Sequence, residues 1–253
     1  FHPNHPEASL MSQPTSIGIL GGGESGIGAA LLAMHMGIPC FLSEGKTLGE
    51  AHRAELESAG IPFEEGRHDL ERLLTCEVII KSPGIPSTTP IMAALLAQGK
   101  EVWSDIEWFY RCKPAQAKVA AITGSNGKTT TTAWLGHIME QSGANVRVGG
   151  NIGVGAGRLL LGPAADIYVL EVSSYQLEFC PSFRPHVAVL TNITPDHLDR
   201  YGNLENYAEA KFQITAHQGP EDAFLYYAED PVTLERLERV QAKRYPIYTT
   251  EPR

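Results

Sequence analysis

The run Ile122-Thr123-Gly124-Ser125-Asn126-Gly127-Lys128-Thr129-Thr130 holds the residue types and spacing that handle phosphate. The apolar stretch from Lys118 to Ile122 reads as a buried strand, and Thr129 to Gln141 reads as a helix. A glycine-rich turn between strand and helix leaves backbone N–H groups free to hold phosphate oxygens at the positive end of the helix dipole. Lys128 adds a point charge, and the Thr129 hydroxyl can ligate Mg²⁺. Gly124, Ser125, Asn126, Gly127, Lys128, Thr129 and Thr130 are therefore expected to bind a nucleoside triphosphate. The pattern is short, because a standard phosphate loop has a glycine where this chain has Ile122. An ordinary turn of Gly, Ser and Asn is the competing explanation.

Glu171 ends the apolar strand Ile167–Leu170, where a carboxylate can reach a Mg²⁺ beside Thr129. The polar run from Ser173 to Gln176 after it can line a pocket. Asp196-His197-Leu198-Asp199 follows the next strand and a Thr194-Pro195 turn, and His197 can ligate a metal or orient a phosphate. Lys211 lies inside a helical pattern between Ala210 and Phe212, where a lysine ordinarily snorkels to the surface.

A second glycine loop, Gly21-Gly22-Gly23-Glu24-Ser25-Gly26, fits the G-x-G-x-x-G spacing between a strand and a helix. Such glycines permit a tight turn and close backbone approach to a diphosphate. Leu42-Ser43-Glu44 ends the next strand, and Glu44 stands where a ribose contact would be made. Lys81-Ser82-Pro83-Gly84-Ile85 follows the strand Val78–Ile80 and belongs to the same carboxyl edge.

Strand and helix patterns alternate around these loops, which predicts parallel α/β architecture. Strands are expected at 16–20, 40–43, 78–82, 166–172, 186–192, 223–227 and from Tyr245. Helices are expected at 26–36, 48–59, 91–98, 105–110, 204–217 and 231–240, with Asn203 and Pro231 at two helix starts. Polar, proline-containing Lys113–Gln116 reads as a linker. The expected organisation is a loose tail over 1–15, a Rossmann-like domain over 16–112, and a P-loop-type parallel-sheet domain over 117–253. A chain of 253 residues suits two domains, and its net charge of -9 argues against general nucleic-acid binding. The four scattered cysteines fit free thiols in a reducing, cytoplasmic setting. No apolar run is long enough for a membrane helix, and the N-terminal residues lack signal-peptide character.

Taken together these runs resemble the Mur ligases, ATP-dependent amide-forming enzymes of peptidoglycan precursor synthesis. The resemblance is carried by Gly21–Gly26, Ser82–Ile85, Ser104-Asp105-Ile106-Glu107, Ile122–Thr130, Gly149–Gly153, Leu170–Glu178, Thr191–Tyr201 and Ala210-Lys211. The Asp-Ile-Glu run and the Thr-Gly-Ser-Asn-Gly-Lys loop point to the D-glutamate-adding branch. The resemblance implies a UDP-substrate site built from Gly23, Glu24, Ser25, Gly26, Ser43, Ser82, Pro83 and Gly84, with Asn151 and Ser173 on the muramoyl-alanine arm. It implies that Lys128 binds ATP phosphates, that Thr129 and Glu171 hold one Mg²⁺, and that His197 and Lys211 hold a second. In this family the matching lysine is carbamylated, which turns a cation into an oxygen ligand. The catalytic set so implied is Lys128, His197 and Lys211. At Ser43 the family often has an aspartate.

The implied substrates are ATP, UDP-N-acetylmuramoyl-L-alanine and D-glutamate, with an acyl-phosphate intermediate and a monomeric enzyme. The family has three domains, and the third, amino-acid-binding one is not expected within these residues. The 253-residue polypeptide is therefore expected to bind nucleotide weakly and to ligate poorly by itself. Another Mur-type or folylpolyglutamate-type ligase, a non-catalytic nucleotide-binding module, and a dinucleotide oxidoreductase are the competing readings.

Overall fold

The computed structural model describes residues 13–249, which form two compact units. The first comprises residues up to Ala115 together with Gly153–Ala164, and the second comprises Gln116–Ile152 and the residues from Ala165 onward.

The first unit contains β1 (Ile17–Leu20), α1 (Glu24–His35), β2 (Cys40–Glu44), α2 (Glu50–Ser58), β3 (Phe63–Glu65), α3 (Leu70–Thr75), β4 (Val78–Lys81), α4 (Pro90–Ala97), β5 (Glu101–Ser104) and α5 (Asp105–Cys112). All five strands are parallel, in the order β3-β2-β1-β4-β5. The chain leaves β1 toward β2 and returns on the other side at β4, so the crevice at the carboxyl edge opens between β1 and β4. Ligands of open α/β sheets bind at such a reversal. Central strands buried on both faces are apolar throughout, as in Ile17-Gly18-Ile19-Leu20 and Val78-Ile79-Ile80. Ile17, Ile19, Val78 and Ile80 pack with Ile27, Leu32 and Trp108 into one core.

The second unit contains β6 (Lys118–Thr123), α6 (Lys128–Gln141), β7 (Val146–Gly150), β8 (Ile167–Glu171), α7 (Ser174–Leu177), β9 (Val187–Leu190), α8 (Leu198–Tyr201), α9 (Leu204–Phe212), β10 (Ala223–Tyr227), α10 (Pro231–Leu234) and β11 (Lys243–Ile247). Its sheet is also fully parallel, in the order β11-β10-β9-β6-β8-β7. β6 lies between β8 and β9, so the loops leaving these three strands share one edge.

Several expectations need correction. The second domain is not continuous over 117–253. Gly153–Ala164 joins the first unit because Leu160 and Leu161 pack on that core, while Arg158 pairs with Glu24 and Glu55. The unit boundary falls between Ala115 and Gln116, inside the expected linker. Of the expected tail, residues 1–12 lie outside the described residues, and Thr15 is tied by its N–H and hydroxyl to the Glu77 carboxylate. The helix expected over 231–240 stops at Leu234, where the Arg236 guanidinium takes the Val232 carbonyl at 2.8 Å; a 3₁₀ turn follows at Leu237–Arg239. The helix expected over 204–217 is α-helical only to Phe212, although Asn203 caps it as expected by accepting the Asn206 N–H at 2.8 Å. The short strands β3, β5 and β7 and the helices α3, α7 and α8 escaped the sequence reading. Three- to five-residue elements at sheet edges carry too little apolar pattern to register. No described helix is long and apolar enough to cross a membrane.

Candidate active site

The loop between β6 and α6 is held by the loop that leaves β9. Ser125 Oγ donates to the Thr194 carbonyl at 3.0 Å and accepts the Thr194 N–H at 3.0 Å. The Asn126 N–H meets Asn192 Oδ1 at 3.0 Å, and the Asn126 carbonyl accepts from Thr191 Oγ1 at 2.6 Å and Asn192 Nδ2 at 3.1 Å. Gly124 sits at φ 146°, and a Cβ there would stand 1.9 Å from Thr191 Oγ1. Only glycine fits this position, on both backbone and steric grounds. The loop is therefore pre-shaped.

Lys128 starts α6 and folds back, donating from Nζ to the carbonyls of Gly124 at 2.9 Å and Ser125 at 3.0 Å. Lys211, on α9, donates to the same Gly124 carbonyl at 2.8 Å. Lys211 is 1% exposed, so it does not snorkel to the surface as a lysine inside a helix ordinarily does. Its Nζ lies 4.4 Å from the centre of the Tyr207 ring. Burial first, and the nearby Lys128 cation second, lower its pKa to about 7 against weak opposition from Asp196. A buried lysine of this kind presents a neutral, nucleophilic amine near neutral pH.

Thr129 Oγ1 donates to Glu171 Oε2 at 2.7 Å, so the two residues expected at one metal are in contact. Asn151 meets the same carboxylate, Nδ2 to Oε1 at 3.2 Å, and its N–H donates to the Glu171 carbonyl at 2.8 Å. One carboxylate and one hydroxyl are hard oxygen donors, and such a small set suits a magnesium ion that keeps water and phosphate ligands. Ser173 caps α7 in a reciprocal capping box with Gln176, so its hydroxyl has a structural partner.

His197 occupies a left-handed backbone conformation at φ 52°, rare for a non-glycine residue. Its ring packs 5.1 Å from Tyr175 and edge-on 6.0 Å from Tyr207, with Asp196 Oδ2 3.6 Å from Nε2. Tyr207 thus touches both His197 and Lys211, and its hydroxyl reaches Ser125 Oγ at 3.3 Å. As an ammonium, Lys211 does not fit a metal; as a carbamate it would.

In the first unit, Gly21, Gly23, Glu24, Ser25, Ser82, Pro83 and Gly84 line a cavity of about 340 Å³ at the β1–β4 reversal. Gly26 packs on the turn so tightly that a Cβ would lie 1.8 Å from the Gly21 carbonyl oxygen. Ser82 Oγ donates to that same carbonyl at 3.3 Å, joining the two loops. Glu44 lines the same cavity, and its carboxylate accepts the N–H groups of Gly22 at 2.6 Å and Lys46 at 2.8 Å. Glu24 is held by Arg158 at 2.8 Å and the Gly155 N–H at 3.0 Å. Ser43 is fully buried behind the pocket wall and bonded to Glu64 and His68, so it does not meet a ligand directly.

Sequence reasoning missed Tyr207, Asn192, Asp230 and His68. Asp230 accepts the Ile193 N–H at 2.8 Å and so holds the loop after β9. Tyr207 could have been found, because it lies one helical turn before Lys211 and shares its face. Asn192 and Asp230 carry no comparable local signal.

These two parallel sheets, with a threonine–carboxylate pair and two lysines at a shortened phosphate loop, define a nucleotide-binding α/β protein. Residues 122–252 match the family described as Mur ligase middle domain, and residues 16–91 match the MurD N-terminal domain. The chain belongs to the Mur ligase family, whose members are ATP-dependent ligases. A UDP-N-acetylmuramoylalanine--D-glutamate ligase of Cytophaga hutchinsonii is 48% identical over 240 residues, covering 94% of this chain and 53% of the relative. The enzyme of that name from Bacteroides fragilis is 44% identical over 232 residues, covering 90% of this chain and 52% of its own length. The chain thus spans about half the length of these relatives. Among solved structures, the UDP-N-acetylmuramate:L-alanyl-gamma-D-glutamyl-meso-diaminopimelate ligase from Neisseria meningitides superposes with a TM-score of 0.67 at 21% identity, over 92% of this chain and 77% of that one, a likeness of fold.

Proposed function

We propose that this chain carries the UDP-substrate and ATP sites of a ligase that adds D-glutamate to UDP-N-acetylmuramoyl-L-alanine. The observation that carries the reading is the meeting of Lys128 and Lys211 at the Gly124 carbonyl beside the Thr129–Glu171 pair. The names of the curated relatives support the choice of substrates.

In this reading the cavity at Gly23, Glu24, Ser25, Ser82, Pro83 and Gly84 takes the diphosphate of the UDP-substrate, with Gly26 packed on the turn behind it. Asn151 and Ser173 serve its muramoyl-alanine arm. The phosphate loop residues Gly124 to Thr130 hold ATP. The substrate carboxylate attacks the γ-phosphorus, the bond to the bridging oxygen breaks, and ADP leaves. The D-glutamate amine then attacks the acyl carbon, loses a proton, and expels phosphate. Lys128 turns from the loop carbonyls to the phosphates and offsets the charge of two approaching anions. Thr129 and Glu171 would hold magnesium, which would supply further positive charge on the phosphate oxygens. A neutral Lys211 amine can take up CO₂ with loss of a proton, and the carbamate so formed would hold a second cation together with His197. The enzyme acts as a cytoplasmic monomer.

The test is calorimetric titration of the 253-residue chain with UDP-N-acetylmuramoyl-L-alanine and with a magnesium ATP analogue, beside a coupled assay for ADP release. The expected result is binding of both ligands with little D-glutamate-dependent turnover. Absence of binding by either ligand counts against the reading. Phosphate release with another amino acid in place of D-glutamate would assign a different ligase of the family.

A further inference from the structure

A second cavity of the first unit, about 740 Å³, adjoins the diphosphate cavity and shares Glu44, Lys46, Gly84 and Ile85 with it. Its size is that of a ligand pocket, which spans roughly 300–1,000 Å³. Ile85, Pro86, Pro90 and Ile91 give it an apolar wall suited to a flat ring. His68 is the imidazole in that wall.

The hydrogen bonds behind His68 determine which of its nitrogens carries the proton. Ser43 Oγ lies 2.7 Å from Glu64 Oε1 and 2.8 Å from His68 Nδ1. A serine hydroxyl has one hydrogen, and an ionised carboxylate only accepts. Glu64 is held by the Asp69 N–H at 2.6 Å, with the Arg67 guanidinium 3.5 Å away. The Ser43 hydrogen therefore goes to Glu64, and Ser43 Oγ accepts from His68 Nδ1–H. A neutral His68 then has Nε2 as a lone-pair acceptor. The Nε2 end of the ring is its nearest part to Gly45, another residue of the same wall: a Cβ at Gly45 would stand 2.8 Å from Nε2.

We propose that His68 selects the base of the bound nucleotide, with Nε2 accepting the N3–H of a uracil ring seated in this pocket. Ser43 and Glu64 are positioning residues that fix the imidazole tautomer. Uracil carries a hydrogen on N3, whereas cytosine carries a lone pair there, so one acceptor attracts the first and repels the second. The inference rests on the UDP-substrate reading and adds to it the residue that reads the base. It also gives buried Ser43 a role through His68.

The test is calorimetric titration of UDP and of CDP into the 253-residue chain and into His68→Ala, with thermal melting as a check of folding. One hydrogen bond exchanged for lone-pair opposition corresponds to a preference of about tenfold. The unaltered chain is expected to favour UDP by about that factor, and His68→Ala to bind the two within about twofold at an unchanged melting temperature. Gly45→Ala, which pushes on Nε2 without touching the Ser43 bond, is the second variant and should narrow the preference likewise. A UDP preference that survives in both variants overturns the role of His68. Equal binding of UDP and CDP by the unaltered chain overturns it too and leaves the UDP-substrate reading standing. Failure to bind UDP at all overturns the reading and the inference together.

Discussion

Lys128 and Lys211 donate to one oxygen, the Gly124 carbonyl, at 2.9 and 2.8 Å. They arrive from different helices, α6 and α9, and only one of them is fully buried. Two ammonium groups at one acceptor repel, and the buried one yields its proton more readily. A triphosphate gives Lys128 a better partner than a carbonyl and so separates the two charges.

Replacing Lys128 by alanine should weaken binding of an ATP analogue roughly tenfold to a hundredfold, because charge-assisted hydrogen bonds contribute about 1.5–3 kcal/mol. Affinity for UDP should stay as it is. The same substitution removes one cause of the lowered Lys211 pKa, so that pKa should rise while burial keeps it below the ordinary lysine value. Calorimetry checks the first effect, and a pH titration of ¹³CO₂ uptake by NMR checks the second.

Gly124→Ala should be among the most damaging single changes to the ATP site. A side chain at φ 146° is strained by about 1–3 kcal/mol, and its Cβ would meet Thr191 Oγ1 at 1.9 Å. Adding Thr191→Ala should relieve the clash and recover only part of the loss, since the backbone strain remains. Chemical denaturation of the single and double variants measures both parts.

Thr129→Val keeps the shape of the side chain and removes the hydroxyl bonded to Glu171. Glu171 is 2% exposed, so the loss of a partner there should cost about 1–3 kcal/mol of stability. The magnesium dependence of ATP-analogue binding should fall as well. Titrations with and without magnesium would show it, and an unaltered dependence would remove Thr129 from the metal site.

Lys211 should make stability depend on alkaline pH in CO₂-free buffer. Its folded pKa of about 7 lies below the ordinary lysine value of 10.5, so between these values the unfolded chain binds more protons than the folded one. The contribution of Lys211 to stability therefore rises as pH rises from about 7 to 10.5 and is flat below that window. In magnitude it is on the order of a few kcal/mol. The difference in stability between the unaltered chain and Lys211→Met should follow this course; a difference constant with pH would place Lys211 in a wetter environment.

Strand–loop–helix order at both glycine loops was legible because glycines, apolar runs and helix starts are local signals. The strand expected at 223–227 and the cap at Asn203 are read from a few adjacent residues in the same way. Short edge strands such as Phe63–Glu65 were not legible, since their residues become a strand only by pairing with β2. The transfer of Gly153–Ala164 to the first unit was equally hidden, because its ion-pair partners Glu24 and Glu55 lie about a hundred or more residues away.

By itself the sequence determined the parallel α/β class, the two glycine-rich strand–helix loops and the family resemblance, all of which follow from residues close together in the chain. Tertiary structure alone decided that Lys211 is buried, that it meets Lys128 at one carbonyl, that Glu44 accepts two loop amides, and that buried Ser43 is bonded to His68. The reason is the range of the interactions. Backbone conformation and periodicity are written within a turn or two, whereas burial and the partner of a charged group depend on segments that only folding brings together.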